Sequence, residues 1–397
     1  MKTRKRIHIL GGGYNQLPLL LCAKKMGFWV LCTDVNLNPP CRKFADAYER
    51  ACITDLQGSL ENAIKHKIDF AATDQTDVAV PTVAFIAKKL SLPGIDFDTS
   101  LRFTNKYIMR NFLKGKIDEN LAENYFFNQE NSAIDFYTSL TSSNKYVIKP
   151  INSQGSKGVS ILGPKFREQI SNAFKESFNR GIIIERFVSG FEFSVESFVH
   201  SGEVHNLTLT KKYHYSTNPC LDERNTYLGD VSSDLEEKIF HLNSKIINLL
   251  GLKMGNTHAE YKVENGIPFL IEIAARGAGG SISSKIIPYL TGFDPLTAML
   301  NQLQNSNISI DYKDYKSKFA ILKFFNFKPG KVKSIRTNEK VISKLLEYNL
   351  TLKPGDHIVP PLDSRDRKGY FIVNSENREA VLNLEKEVES SIRLNYY

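Results

Sequence analysis

Over the first hundred residues, short apolar runs alternate with stretches of helical spacing. Residues 7–10 and 28–33 read as strands, and residues 15–26 as a helix closed by Gly27. Residues 56–66 carry helical spacing, 69–73 an extended run, and 78–90 a helix stopped at Leu92-Pro93-Gly94. Strand, helix, strand in this rhythm predicts a parallel sheet wrapped by helices.

From about residue 105 the antiparallel signal takes over. Residues 145–149 and 159–162 read as strands flanking a loop of glycine, serine and lysine; 164–178 reads as a helix and 181–186 as an apolar strand. The strict alternation of 191–200 assigns Phe191, Phe193, Val195 and Val199 to a core-facing side. Glu192, Ser194, Glu196 and His200 fall on a polar, site-facing side. Residues 236–250 form an amphipathic helix ended by Gly251, and 257–263 with 269–274 read as a hairpin around Asn265-Gly266. Beyond about residue 317 follow strands at 319–327 and 369–373 and a helix at 378–392, with no repeat, low-complexity segment or long linker.

At 397 residues, 42% hydrophobic and 24% charged, the chain is expected to form two to three globular units. No run of about 18 apolar residues suggests a membrane span. Residues 1–6 are basic but lead into four apolar residues and three glycines, too short for a secretory signal, so a cytoplasmic setting is expected. Cys22, Cys32, Cys41, Cys52 and Cys220 show neither a C-x-x-C pair nor a nearby histidine at ligand spacing, and read as buried thiols. The net charge of +9 would suit nucleic acid, yet 43 acidic residues are interspersed with 52 basic ones. The dense basic runs, 2–6 and 365–368, read as solvated surface, and a phosphorylated small molecule explains the sign equally well.

Gly11-Gly12-Gly13 follows a strand and opens a helix, where backbone N–H groups can cradle phosphate. The third glycine of a dinucleotide fingerprint would fall at Gln16, which favours a tight turn. Ser153-Gln154-Gly155-Ser156-Lys157-Gly158, just after Lys149-Pro150, can close over an anion with backbone donors and a lysine, without the spacing of a P-loop. The strand ending in Glu185-Arg186-Phe187-Val188 offers main-chain groups to an adenine edge, and Glu192 a carboxylate to ribose hydroxyls.

In the 257–274 hairpin, a two-residue loop at Asn265 and Gly266 pairs Glu260 with Ile271. A three-residue loop, 265–267, pairs Glu260 with Glu272 on one face. Two opposed carboxylates repel unless a proton or cation lies between them, and Mg2+ suits such an oxygen pair, completing its shell with water and substrate phosphates. Arg276, followed by Gly277-Ala278-Gly279-Gly280-Ser281, supplies a planar fork for phosphate or carboxylate beside backbone donors.

Lys106, Lys149-Pro150, the 153–158 loop, Glu185 to Val188, Glu192, Glu260 and Glu272-x-x-x-Arg276 together resemble the motif series of the ATP-grasp superfamily, in its carboxylate-amine ligases. The resemblance spans the chain. It implies an α/β and α+β architecture: a Rossmann-like unit at 1–104, an ATP-grasp unit at 105–316 with subdomains at about 105–185 and 186–316, and a small α+β piece at 317–397. It further implies ATP-dependent activation of a carboxylate as an acyl phosphate, coupling to an amine, and release of ADP and phosphate.

By this resemblance Lys106 and Lys149 contact the ATP, Ser153, Gly155, Ser156 and Gly158 belong to the loop over the triphosphate, and Glu185 with Arg186, Phe187 and Val188 reads the adenine. Glu192 takes the ribose, Glu260 and Glu272 hold Mg2+ or Mn2+, and Arg276, with Lys149, is catalytic. Glu196, Lys212, His214, Gly279 and Gly280 fall to the substrate side. The implied partners are a small carboxylate and a small amine, not nucleic acid or membrane, with a homodimer left open. Where many members carry a further metal-ligating asparagine this chain has Ala274, as in the amino-acid ligase and carbamoyl-phosphate-synthase-like branch. A nucleotide-binding module without ligase activity, regulatory or sensory, and a dinucleotide oxidoreductase resting on Gly11 to Gly13 are the alternatives.

Overall fold

The N-terminal strands are apolar on both faces because both are covered. In the computed structural model, which describes residues 4–178, 180–305 and 308–397, strands β1 (Arg6–Leu10), β2 (Trp29–Asp34), β3 (Ala47–Arg50) and β4 (Phe70–Ala72) form a parallel sheet ordered β3-β2-β1-β4. Ile7 and Ile9 pack towards helix α1 (Leu17–Lys25). Leu10 and Leu31 pack with residues of α2 (Leu56–Lys65) and α3 (Val80–Leu90). Helix α4 (Phe97–Thr104) runs into α5 (Lys106–Leu113) through Asn105, whose side chain accepts the Ile108 N–H as an N-cap.

A second, antiparallel sheet is ordered β5-β8-β6-β7, from β5 (Asn124–Phe127), β6 (Tyr146–Pro150), β7 (Ser160–Ile161) and β8 (Ile182–Arg186). It is backed by α6 (Glu130–Ser139) and α7 (Phe166–Glu176). Next come β9 (Phe191–His200), β10 (Glu203–Tyr215), β11 (Asn218–Tyr227), α8 (Ser233–Leu250), β12 (Met254–Glu264) and β13 (Ile267–Ala274). A π-helical stretch Ile282–Ile286 leads into α9 (Ile287–Thr291), followed by α10 (Pro295–Leu303). Leu300 and Leu303 of α10 return to the N-terminal core beside α1.

The C-terminal part contributes β14 (Phe319–Phe324), β15 (Gly330–Arg336), α11 (Glu339–Ile342), β16 (Glu347–Leu350), β17 (His357–Ile358), β18 (Gly369–Ser375), α12 (Arg378–Ser391) and β19 (Arg393–Tyr396). One antiparallel sheet of eight strands, β13-β12-β9-β10-β11-β14-β18-β16, runs through the expected division at 316/317, because β14 pairs with β11. The residues from 317 onward therefore extend the same sheet that carries Glu260 and Glu272.

Some local expectations change. Phe191 is exposed, its ring beneath the Lys211 ammonium at 4.0 Å, because it is the first residue of β9, at the end of the sheet; Phe193, Val195 and Val199 are buried as the alternation requires. Only Cys32 and Cys41 are fully buried, Cys52 is exposed, and all five cysteines are free. The hairpin loop has two residues, since Glu264 pairs with Ile267, yet Glu260 still faces Glu272. A bulge at Ile271 inserts the extra residue within β13 and so restores the register. Of the basic run 2–6, residues 2 and 3 lie outside the described residues. The run 365–368 is not plain solvated surface, because Arg365 pairs with Asp363 and Glu176, and Arg367 with Asp222.

The glycine turn after β1 is filled by the protein's own side chains. A Cβ at Gly11 would lie 3.0 Å from Gln16 Cδ and one at Gly12 2.9 Å from Pro39 Cγ, while the Gly12 N–H donates to Asp34 Oδ2 at 2.8 Å. Gln16 also donates to the Asp74 carbonyl at 2.7 Å. This is a structural turn rather than an open pyrophosphate cradle.

Candidate active site

A cleft of about 460 Å³ opens between the β5-β8-β6-β7 sheet and the polar face of the eight-stranded sheet. The structure brings Lys106, Lys149, Ser153, Gly155, Ser156, Glu185 to Val188, Glu192, Lys212, Glu260, Glu272, Arg276, Gly279 and Gly280 to its walls. Gly158, Glu196 and His214 stand behind that lining. Gly158 packs on Pro150 and Glu176, Glu196 holds His258, and His214 holds Glu192.

The wall is a lattice of neutralised carboxylates. Lys106 Nζ donates to Glu272 Oε1 at 2.7 Å and to the Ser153 carbonyl at 2.9 Å. Lys212 Nζ lies 2.6 Å from Glu260 Oε1 and 3.0 Å from Glu192 Oε1. His258 bridges Glu196 Oε1 at 2.6 Å and Glu260 Oε1 at 3.2 Å. Burial alone would lower the His258 pKa, but these two carboxylates outweigh it and lift it to about 9, so the imidazole is protonated near neutrality. Burial would likewise raise Glu260, yet Lys212 and His258 hold it well below the usual carboxylate range.

Glu185 is buried and both its oxygens are engaged, one by Arg110 Nε and one by Lys149 Nζ, each at 2.7 Å. Against the opposing effect of burial, these two cations lower its pKa to about 2. Both oxygens of Glu185 are thus taken up by the protein, and the neighbouring residues Arg186 to Val188 line the cleft beside it. Arg110 also donates through Nη2 to the carbonyl of the bulge residue Ile271, at 2.7 Å, next to Glu272.

The 153–158 loop reaches three other parts of the chain. Gln154 Oε1 accepts the Asp77 N–H at 2.7 Å, the Gly155 carbonyl accepts the Ser364 N–H at 3.1 Å, and Ser156 Oγ donates to the Cys220 carbonyl at 2.7 Å. Gly155, Ser156 and Gly158 all have left-handed backbone, which explains the small residues.

Several site residues were missed in the sequence: Arg110, Asp77, Asp222 and Lys262, besides His258. The Lys262 ammonium lies 4.4 Å from the Phe187 ring centroid, and burial lowers its pKa. Arg367, half-buried against Asp222 with its guanidinium 3.5 Å above the Phe324 ring, lines the cleft. The sequence leaves both Lys353-Pro354-Gly355 and the 365–369 stretch open as a cap over the site or a plain turn; only the second reaches the cleft, through Arg367 and Gly369.

Glu260 and Glu272 form an oxygen-only donor set. The Oε1 atom of each is held by cations, and Oε2 of each has no protein partner among the described residues. That set fits a hard divalent cation. Ala274, whose buried methyl pairs with His258 across the strands, adds no ligand. Among the described residues no group of three or more His, Cys, Asp or Glu could hold a metal on its own, so such a cation would depend on substrate oxygens as well.

Residues 142–285 match an ATP-grasp domain and residues 323–397 an L-amino acid ligase C-terminal domain 2. The chain is 25% identical over 369 residues to phosphoribosylamine–glycine ligase from Methanococcus maripaludis strain C7, covering 85% of this chain and 82% of the relative. Over 304 residues it is 26% identical to dapdiamide A synthase from Enterobacter agglomerans, covering 71% and 69%. The fold is that of the L-amino acid ligase from Bacillus licheniformis, with a TM-score of 0.81 over the whole of both chains at 19% identity. The chain thus carries an ATP-grasp domain, and over most of its length it is similar to ATP-dependent carboxylate-amine ligases of the ATP-grasp superfamily.

Proposed function

We propose that the enzyme transfers the γ-phosphoryl group of ATP to a carboxylate oxygen, forming an acyl phosphate, and that an amine then displaces phosphate from the acyl carbon. ADP leaves from the first step and phosphate from the second. The supporting observation is that Glu260, Glu272, Lys106 and Arg276 converge at one part of a cleft also lined by Arg186 to Val188 and Lys149. Phosphoryl transfer asks the protein mainly for positioning and charge neutralisation, which these groups supply.

The residue roles follow from position. Main-chain groups of Arg186 to Val188 read the adenine, Glu192 the ribose, and Lys106 and Lys149 the phosphates. The 153–158 loop covers the triphosphate and excludes water from the acyl phosphate. Glu260 and Glu272 would hold Mg2+ or Mn2+, which when bound would neutralise charge on the phosphate oxygens. Lys106 and Lys212, on the Oε1 side of those carboxylates, add positive charge towards the phosphates. Arg276 and the N–H groups around Gly279 and Gly280 steady the oxyanion at the acyl carbon.

The names of the relatives, glycine and amino-acid ligases among them, support amino-acid-sized substrates. So does a cleft wall combining Leu322, Phe324 and Tyr370 with Asp222 and Arg276. A cytoplasmic setting suits such chemistry, and no helix among the described residues is long and apolar enough to cross a membrane. The test is ADP release on addition of a panel of amino acids in pairs. The purified Glu272→Ala and Arg276→Ala proteins are expected to stay folded and lose turnover by about 100-fold or more, as when one transition-state donor is removed. Near-normal turnover by both would refute the assignment.

A further inference from the structure

Arg276 is held by a residue from another part of the chain. Its Nε donates to Asp77 Oδ1 at 2.6 Å and its Nη2 to Asp77 Oδ2 at 3.1 Å, a two-point clamp on one edge of the guanidinium. Its Nη1 donates to the Gly277 carbonyl at 3.0 Å. Of the five N–H groups of an arginine, roughly two remain for a substrate oxygen. The guanidinium is nearly buried, at 12% side-chain exposure, so it has little room to swing and its orientation is the one Asp77 imposes.

Asp77 is itself fixed. It belongs to a short polar segment after β4, Asp74-Gln75-Thr76-Asp77, all four residues buried. Gln16 donates to the carbonyl of Asp74, Asp74 Oδ1 accepts the N–H of Gly277 at 2.9 Å, and Gln75 has left-handed backbone. The segment thus grips both Arg276 and the start of the glycine run after it. The Asp77 N–H meanwhile donates to Gln154 of the loop over the cleft. One residue of the N-terminal unit joins the loop on one side to the arginine on the other.

We propose that Asp77 is the positioning residue of the ligation step: it aims the Arg276 guanidinium at the reacting acyl group, and through its N–H to Gln154 it couples that aim to closure of the 153–158 loop. The inference rests on the reading of Arg276 given above. Misplacing an oriented group by about 1 Å costs on the order of 100-fold in rate, so loss of the clamp belongs in kcat rather than in nucleotide affinity.

The test is a double-mutant cycle on the full chain with Asp77→Asn, which keeps the shape of the clamp, Arg276→Ala, and the two combined, each checked for folding by circular dichroism. Asp77→Asn is expected to lower kcat about 100-fold while the KM for ATP moves less than about threefold. The double variant is expected to be no slower than Arg276→Ala alone, because Asp77 acts only through that arginine. Asp77→Glu, which keeps the charge, is expected to recover part of the loss. If Arg276→Ala is crippled but Asp77→Asn is near normal, or the two losses multiply, the positioning role is wrong and the reading of Arg276 stands. If Arg276→Ala is itself near normal, that reading fails and the positioning role falls with it.

Discussion

Replacing Glu185 with glutamine leaves its shape and removes its charge, while Arg110 and Lys149 remain buried around it. Against the opposing effect of burial, Arg110 and Lys149 hold the folded-state pKa at about 2 against the ordinary 4.5, a difference that corresponds to about 3 kcal/mol at neutral pH. Breaking a buried ion pair by removing one partner independently suggests about 3–5 kcal/mol. The sign follows from the depressed pKa: the stabilisation is complete well above pH 4.5 and is lost as pH falls towards 2. The stability gap between the natural protein and Glu185→Gln is therefore expected to be about 3 kcal/mol at pH 7 and about 2 kcal/mol at pH 3.5. Urea unfolding of both proteins at the two pH values, followed by far-UV circular dichroism, reads that gap. A gap below about 1 kcal/mol at pH 7, or one that widens on acidification, would refute the view of Glu185 as a charged strut tying α5, β6 and β8 together.

Two further outcomes follow from the same structure. Burial raises Asp74 to about 6 from 3.8, so its ionisation costs stability as pH rises through that range; Asp74→Asn, which can still accept the Gly277 N–H, is expected to be more stable by up to about 3 kcal/mol at pH 8. Thermal melts at pH 8 and pH 4 check that the gain shrinks on acidification, and a pH-independent difference would contradict it. At Gly155 the backbone is left-handed and an added Cβ would collide with Ser364 Oγ, so Gly155→Ala is expected to unseat the loop and raise the KM for ATP about tenfold, a cost of about 1.4 kcal/mol. Steady-state kinetics with an unchanged KM would count against the role of the loop.

The motif residues were legible because each is a chemically unusual choice within a regular strand. Glu185, Glu192, Glu260 and Glu272 interrupt apolar or alternating stretches, and all four line the same cleft. The register was not legible: the sequence pairs Glu260 with Glu272 only through a three-residue loop, whereas the turn has two residues and the bulge at Ile271 brings the two carboxylates opposite each other. Bulges depend on tertiary partners, here the Arg110 guanidinium on the Ile271 carbonyl. Arg110 lies four residues after Lys106 on the same helix face, a basic pair that could have been noticed. The engagement of the Glu185 carboxylate could not be read from local sequence, since its partners lie 75 and 36 residues away. Asp77 sits just beyond a strand of a parallel sheet, where ligands of such sheets gather, but its partner Arg276 is 199 residues on. The C-terminal strands read as a separate piece because nothing in the sequence announces that β14 will pair with β11.

The acyl phosphate is the centre of the proposed chemistry, and the fate of one oxygen atom tests it. With whichever amino acid supports ADP release, labelled with 18O in its carboxylate, the enzyme, ATP, Mg2+ and the amine are incubated and the phosphate is analysed by mass spectrometry. One 18O per phosphate released is the predicted result, because the carboxylate oxygen that attacks the γ-phosphorus leaves with it. Coupled product formed alongside unlabelled phosphate would contradict the mechanism.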